Sequence, residues 1–322
     1  MFTRRDVLLG AVAAGTSAVA WKPVEGLASA SQPSTPVNFA VPEGACDCHV
    51  HTFDPQHFPF SPLRPYTPEP VSVQELRSLH QALHMSRVIV VQTTVYGADN
   101  SGVLDAMKQL GARARGVAVI DEKTPNSALN EMERAGIRGI RLNLETAGQT
   151  DPTIGRQHFQ TAVERIKGRK LHIQIYARLS VIMGIKDQVE AAPMPVVFDH
   201  FGGTQAALGV DQPGFKSLLD LVKSGKAYVK ISAPYRSSTL APDYPDVAPI
   251  AKALIAANPQ RILWGSDWPH PGTPEPTRKN TEITPFFQID DGRVLNFLPM
   301  WAPDAAIRKA ILVENPAKLY GF

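Results

Sequence analysis

The densest chemistry in the chain lies in Arg261-Ile-Leu-Trp-Gly-Ser-Asp-Trp-Pro-His270. Ile262, Leu263 and Trp264 read as a short buried strand, which Pro269 and Pro271 keep from continuing. Side chains alternate along a strand, so Leu263, Gly265 and Asp267 share a face, and Gly265 leaves room beside the carboxylate. An acid at the tip of an apolar strand is poorly solvated. It serves either as a structural anchor, such as a helix cap or ion-pair partner, or as a base. A second cluster, Cys48-His-Val-His51, sets His49 and His51 on one face, roughly 7 Å apart along the strand. Such a pair can bind a metal or meet a developing oxyanion. Arg141 with Asn143, Gln174 with Tyr176, Asp199 with His200, and Lys230 with Ser232 close other apolar runs, and Tyr235 and Arg236 follow the last of these. His200 falls in phase with Val196 and Phe198. Singly, each is explained as a salt bridge or loop anchor. Polar groups at the ends of so many strands point together to a catalytic site.

The elements that must carry these residues alternate regularly. Strand-like runs cover 45–51, 87–92, 114–120, 137–143, 171–176, 196–200, 227–232 and 262–267. Helical patterns lie among them at 73–83, 127–135, 159–167, 215–222 and 248–256, with another at 305–312. Eight strands alternating with helices predict an α/β fold, a single (β/α)8 TIM barrel, with a doubly wound open sheet as the competitor. No glycine-rich phosphate loop follows the first strand, which weakens nucleotide-binding readings. Prolines crowd 55–70, 234–249 and 269–276. Each stretch follows a strand, so in a barrel each lies on the C-terminal face, where active sites form. They stiffen either a pocket wall or plain surface loops.

The 322 residues suit one large barrel or two medium domains. A hydrophobic content of 43% with 20% charged residues is that of a globular protein. The net charge of +3, without a basic stripe, gives no footprint for nucleic acid. Monomer and homo-oligomer both stay open.

Thr3-Arg4-Arg5-Asp6-Val7-Leu8 resembles the twin-arginine export signature, with an apolar stretch over 7–20 and Ala28-Ser29-Ala30 as a cleavage site. The stretch is shorter than the ~20 residues a bilayer span needs. Residues 1–30 are therefore expected to be a signal peptide, 31–43 a linker and 44–322 the barrel, in a periplasmic product without stable membrane insertion. An uncleaved anchor is the alternative. Cys46 and Cys48, two apart on a strand, make a poor disulfide frame.

Several segments together resemble the amidohydrolase superfamily, and within it the 2-pyrone-4,6-dicarboxylate lactonase branch. They are Cys46-Asp-Cys-His-Val-His51, residues 58–68, Gly97-Ala-Asp-Asn100, Gly139-Ile-Arg-Leu-Asn143, Asp199-His200, residues 264–270 and Glu314-Asn-Pro-Ala-Lys-Leu-Tyr320. The resemblance runs from Gly44 to Phe322. It implies a (β/α)8 barrel hydrolysing a small anionic lactone without a divalent metal. Asp267 would be the base that activates water, and burial would raise its pKa into a useful range. His49, His51 and His200 would polarise the lactone carbonyl. Arg141, Tyr176 and Arg236 would hold anionic groups, with Tyr66 and His270 close by.

The chain departs from the family pattern twice. Tyr176 stands where metal-binding members place a histidine, and His172 lies too early in its strand to substitute. One zinc held by His49, His51 and Asp267, with or without His200, is thus the alternative to no cofactor. The stretch Glu145-Thr-Ala-Gly-Gln-Thr150 carries no base, where the lactonases have a further basic pair. The substrate's anionic pattern is therefore expected to differ: a pyrone dicarboxylate, a sulfomuconolactone or a sugar-acid lactone. The rival readings are a lactone isomerase, a zinc-dependent decarboxylase and a non-catalytic periplasmic binder of acids. For export, Arg4→Lys with Arg5→Lys should leave the precursor in the cytoplasm. Normal export of that double variant in a fractionation experiment would remove the twin-arginine reading.

Overall fold

The computed structural model describes residues 30–322. The leader expected over residues 1–30 therefore lies outside the described residues, apart from Ala30. In chain order the barrel elements are β1 (Cys46–Val50), α1 (Val73–Ala82), β2 (Arg87–Val91), α2 (Ser101–Leu110), β3 (Ala114–Ala118), α3 (Asn126–Ala135) and β4 (Ile137–Asn143). They continue with α4 (Pro152–Ile166), β5 (His172–Tyr176), α5 (Leu179–Gly184), α6 (Lys186–Ala191), β6 (Val196–Phe198), α7 (Phe215–Lys223), β7 (Ala227–Ser232), α8 (Val247–Ala257) and β8 (Ile262–Gly265). Every strand pairs in parallel with the next, and a parallel bridge from Val50 to Trp268 joins β8 back to β1. The fold is a single (β/α)8 barrel, as the alternation predicts.

Runs such as Arg87-Val-Ile-Val-Val91 suit strands covered on both faces. One set of side chains meets the helices. The other fills the barrel's lower half with Cys46, Cys48, Ile89, Val91, Val117 and Leu263. Tyr320, from the C-terminal helix Asn315–Tyr320, plugs this floor, and Arg87 and Arg115 stack over the Phe322 ring at 5.0 and 4.7 Å. His172 sits at this level, edge-on to Tyr320 at 5.3 Å, directly against Gly139, whose missing Cβ makes the space. It is floor rather than site, in keeping with its early place in β5.

Several strands stop sooner than their apolar runs suggest, and at two of them this matters for the site. β6 ends at Phe198 and β8 at Gly265, so Asp199, His200 and Asp267 lie beyond them. His200 and Asp267 have φ of 47° and 69°, left-handed values that no strand accommodates. The phase assigned to His200 is accordingly corrected. Val196 and Phe198 face the helices, while Val197 packs in the barrel interior. His200 turns inward because the backbone reverses at that residue.

The segment expected as a linker, 31–43, is instead a docked strap. Ser34 and Thr35 donate to the Asp290 carboxylate, the Trp268 indole donates to the Ser31 carbonyl at 2.9 Å, and Val37, Phe39 and Val41 pack on the core. Apolar side chains at every second residue give this extended stretch a buried edge. Across the C-terminal face, Thr67–Pro68 pairs in parallel with Ile283–Thr284, tying the loop after β1 to the loop after β8. Among the described residues no helix is long and apolar enough to cross a membrane.

Candidate active site

The closure of β8 on β1 builds the centre of the site. Asp267 N donates to the His49 carbonyl at 2.8 Å, and His51 N donates to the Trp268 carbonyl at 2.8 Å. Between them Asp47 clamps both strands, accepting from His49 N at 3.1 Å, Ser266 N at 3.0 Å and Ser266 Oγ at 2.6 Å. A register shift between Asp47 and Val50 lets β1 aim both Cys48 and His49 inward. Gly265 is required beside it, since a Cβ there would stand 2.8 Å from the His49 Cβ. The two imidazoles end edge-to-face with centroids 5.0 Å apart.

Asp267 is fully buried, and its two oxygens have different surroundings. Oδ2 accepts from the Arg236 Nε and the Tyr235 hydroxyl, both at 2.7 Å. Oδ1 faces three imidazole nitrogens: His51 Nε2 at 3.2 Å, His49 Nε2 at 3.5 Å and His200 Nε2 at 3.8 Å. Burial alone would raise this carboxyl, but the Arg236 charge and the imidazoles carry it well below the usual carboxylate range. The expected upward shift is thus overturned, because the guanidinium lies within direct contact. Arg236 lines the cavity and is also tied down within the protein. Its Nε holds Asp267 and its Nη2 donates to the Pro271 carbonyl at 3.0 Å, so it is first the counter-ion of the acid.

Beneath these groups lies a second buried carboxylate. Asp199 accepts from Gln174 Nε2 at 3.0 Å and pairs with Lys230 at 3.3 Å and Arg141 Nε at 3.4 Å. Burial, reinforced by Lys230, holds His49 well below the ordinary imidazole range, and burial lowers His51 as well. Burial likewise pushes His200 down to about 3, and its Nδ1 is 2.9 Å from the Ser232 hydroxyl. Burial thus disfavours the protonated form of each of these three rings.

Above the acid, a narrow cavity is lined by His51, Tyr66, Arg141, Tyr176, His200, Arg236 and Asp267, among others. Of the expected site residues, all but His49 and His270 line this cavity, and His49 lies beneath it with Nε2 3.5 Å from Asp267 Oδ1. The His270 ring turns away from the cavity to bond Asp291 Oδ2 at 2.9 Å, with φ of 64° setting its direction. Burial pushes the Tyr66 hydroxyl up to about 12 and raises Tyr176 too, so both remain hydrogen donors. Tyr235 was noted in the sequence as a loop residue without a role, and nothing in its spacing announced contact with Asp267. The outer cavity passes Glu145, which pairs with Arg178 at 3.2 Å. The base missing from 145–150 is thus partly offset by one from the loop after β5.

His49, His51 and Asp267 place one ligand atom each within 4.8 Å of one another, as do His49, Asp199 and His200. The first set has spacing a metal could use. Its other contacts are less favourable: Asp267 Oδ2 is already bonded to Arg236, and Arg141, Lys230 and Arg236 place three cations around two carboxylates.

A match to the family described as Amidohydrolase spans residues 46–322. The chain belongs to the amidohydrolase family. A 4-sulfomuconolactone hydrolase of Rhizobium radiobacter is 35% identical over 294 residues, 89% of this chain and 93% of its own. A 2-pyrone-4,6-dicarboxylate hydrolase of Comamonas testosteroni is 35% identical over 300 residues, 90% of this chain and 94% of its own. A D-galactarolactone isomerase of Agrobacterium fabrum is 28% identical, covering 89% and 94% of the two chains. The crystal structure of an apo Agrobacterium tumefaciens protein, 28% identical, superposes with a TM-score of 0.77 over 90% of this chain and 98% of that one. This amidohydrolase is an enzyme of the same architecture as these relatives.

The buried pair generates a prediction. Arg236→Met leaves Asp267 without its guanidinium, and breaking a buried pair from one side costs about 3–5 kcal/mol. The variant should unfold at lower denaturant concentration and lose kcat as well as affinity. An Arg236→Met protein of unchanged stability, altered only in KM, would contradict the counter-ion assignment.

Proposed function

We propose that this amidohydrolase opens a small anionic lactone by adding water across the ring ester. The observation that carries the reading is Asp267, whose Oδ1 faces three imidazoles at the base of a cavity lined by Arg141, Arg236, Tyr66 and Tyr176. Planar guanidinium groups suit a carboxylate or sulfonate on the substrate. The names of the two hydrolase relatives support this substrate class.

In the proposed reaction, water attacks the lactone carbonyl carbon and gives up a proton as the C–O bond forms. Asp267 alone is a weak proton sink, being held below the usual carboxylate range. His51 Nε2 stands 3.2 Å from Oδ1, and its Nδ1 is directed at the Val91 carbonyl at 2.8 Å. A carbonyl only accepts, so Nδ1 carries the hydrogen and Nε2 is bare in the neutral ring. Asp267 and His51 together therefore receive the proton. This differs from the expectation that His51 polarises the carbonyl, since a neutral His51 has no hydrogen to offer there. The charge on the tetrahedral oxygen is met by His49 and His200, and each such donor is worth ~10²–10³ in kcat. Collapse breaks the ring C–O bond, and the leaving oxygen takes the proton back. The product is the ring-opened hydroxy acid.

The reaction needs no Lewis acid in this scheme, and we place the enzyme among metal-independent members of the family. A zinc held by His49, His51 and Asp267 is the second reading, favoured by their mutual spacing. An isomerase would direct a substrate hydroxyl at the same carbonyl, and one relative bears that name. The twin-arginine signature supports a periplasmic setting for this activity.

Asp267→Asn should lower kcat by ~10²–10⁴ on a panel of anionic lactones. The acid limb of the wild-type profile should lie below pH ~6.5, because His51 is lowered from its ordinary value. Near wild-type hydrolysis by Asp267→Asn would sink the scheme. Solvent labelled with ¹⁸O separates the hydrolase from the isomerase, which incorporates none. Chelators should leave the rate unchanged. Stoichiometric zinc in the purified protein, with activity lost on its removal, would establish the second reading instead.

A further inference from the structure

Lys230 has no part in the steps above, yet it is a fully buried ammonium inside the barrel. An ammonium has three hydrogens and no lone pair. Three acceptors surround it: Gln174 Oε1 at 2.7 Å, His49 Nδ1 at 3.2 Å and Asp199 Oδ1 at 3.3 Å. A ring nitrogen that accepts a hydrogen bond carries no hydrogen of its own. With Lys230 donating to Nδ1, the neutral His49 ring must hold its hydrogen on Nε2. The competing arrangement has Nδ1–H donating to Asp199 Oδ1, which is also 3.3 Å away. That contact does not have hydrogen-bond geometry from Nδ1, whereas the Lys230 contact does. His49 Nε2 is buried without a hydrogen-bond partner and stands 3.5 Å from Asp267 Oδ1. Its own hydrogen-bonding capacity is thus left unused within the protein.

We propose that Lys230 is a positioning residue that locks His49 in its Nε2–H form. The two imidazoles of the His49-Val50-His51 motif then have opposite characters. His49 presents a hydrogen donor toward the reacting carbonyl, and His51 presents a bare nitrogen. The same lock stops His49 Nε2 from offering a lone pair to a metal, so one buried lysine both supplies the donor and disfavours the ion. Gln174 holds the ammonium in place, and it also bonds Asp199 at 3.0 Å.

The direct test is the tautomer itself, read by long-range ¹H–¹⁵N correlation on ¹⁵N-histidine-labelled, ligand-free protein, with His49→Asn identifying the signal. The expected pattern is Nε2–H for His49 and Nδ1–H for His51. Lys230→Met should move His49 to Nδ1–H, lower kcat ~10²–10³-fold with little change in KM, and raise zinc uptake toward one ion per chain. A wild-type His49 in the Nδ1–H form would overturn the proposal, and so would a folded Lys230→Met protein with an unchanged tautomer. If Lys230→Met fails to fold, the wild-type spectrum still decides. The kinetic arm rests on the hydrolytic reading; the spectrum does not, so failure of either one is separately visible.

Discussion

A carboxylate at the end of an apolar strand can stay charged only if the protein replaces its water, and the upper half of this barrel is arranged around that requirement. Asp267 receives a guanidinium and a phenol on one oxygen, leaving the other free to face the imidazoles. The arrangement needs β1 and β8 close enough for Asp267 N to reach the His49 carbonyl, which is why Gly265 has no side chain and Asp47 clamps the seam. Left-handed backbone at His200, Ala233, Asp267 and His270 adds cost of about 1–3 kcal/mol per residue. Such conformations persist where the surrounding bonds over-determine them, as they do at these strand ends.

Much of this was legible in the residues. Strand and helix alternation announced the barrel, and the paired histidines and Asp267 do meet at the seam of the first and last strands. What escaped was set by contacts between distant segments. Strict alternation failed on β1 because a bulge changes phase, and it failed at His200 because the chain turns there. The pKa of Asp267 could not be read because its sign depends on Arg236, 31 residues away in sequence but 2.7 Å away in space. His270 follows Asp267 closely and resembled a partner, but a positive φ aims it at Asp291.

Residues 31–43 show the same limit from the other side. Their proline and serine content suggested a tether, whereas their alternating apolar side chains give a strap. That strap reaches the Trp268 indole and the Asp290 carboxylate, each adjacent in sequence to a residue already in the story, Asp267 and Asp291. The first described residues of the chain are thus fastened to the loop that carries the acid.

The short ribbon joining Thr67–Pro68 to Ile283–Thr284 divides the rim of the barrel unequally. On its side, the loops after β1 and β8 are stitched to each other, and a change in one must be accommodated by the other. On the opposite side, Glu145, Arg178 and Gln205 edge the cavity from loops that no such ribbon crosses. The acid sits on the stitched side, and its counter-ion Arg236 is the member of the pair that also lines the open wall. An enzyme partitioned this way can drift in what it accepts, through substitutions on the open rim, while its hydrolytic machinery stays fixed. Directed evolution of substrate range would have its freest ground there.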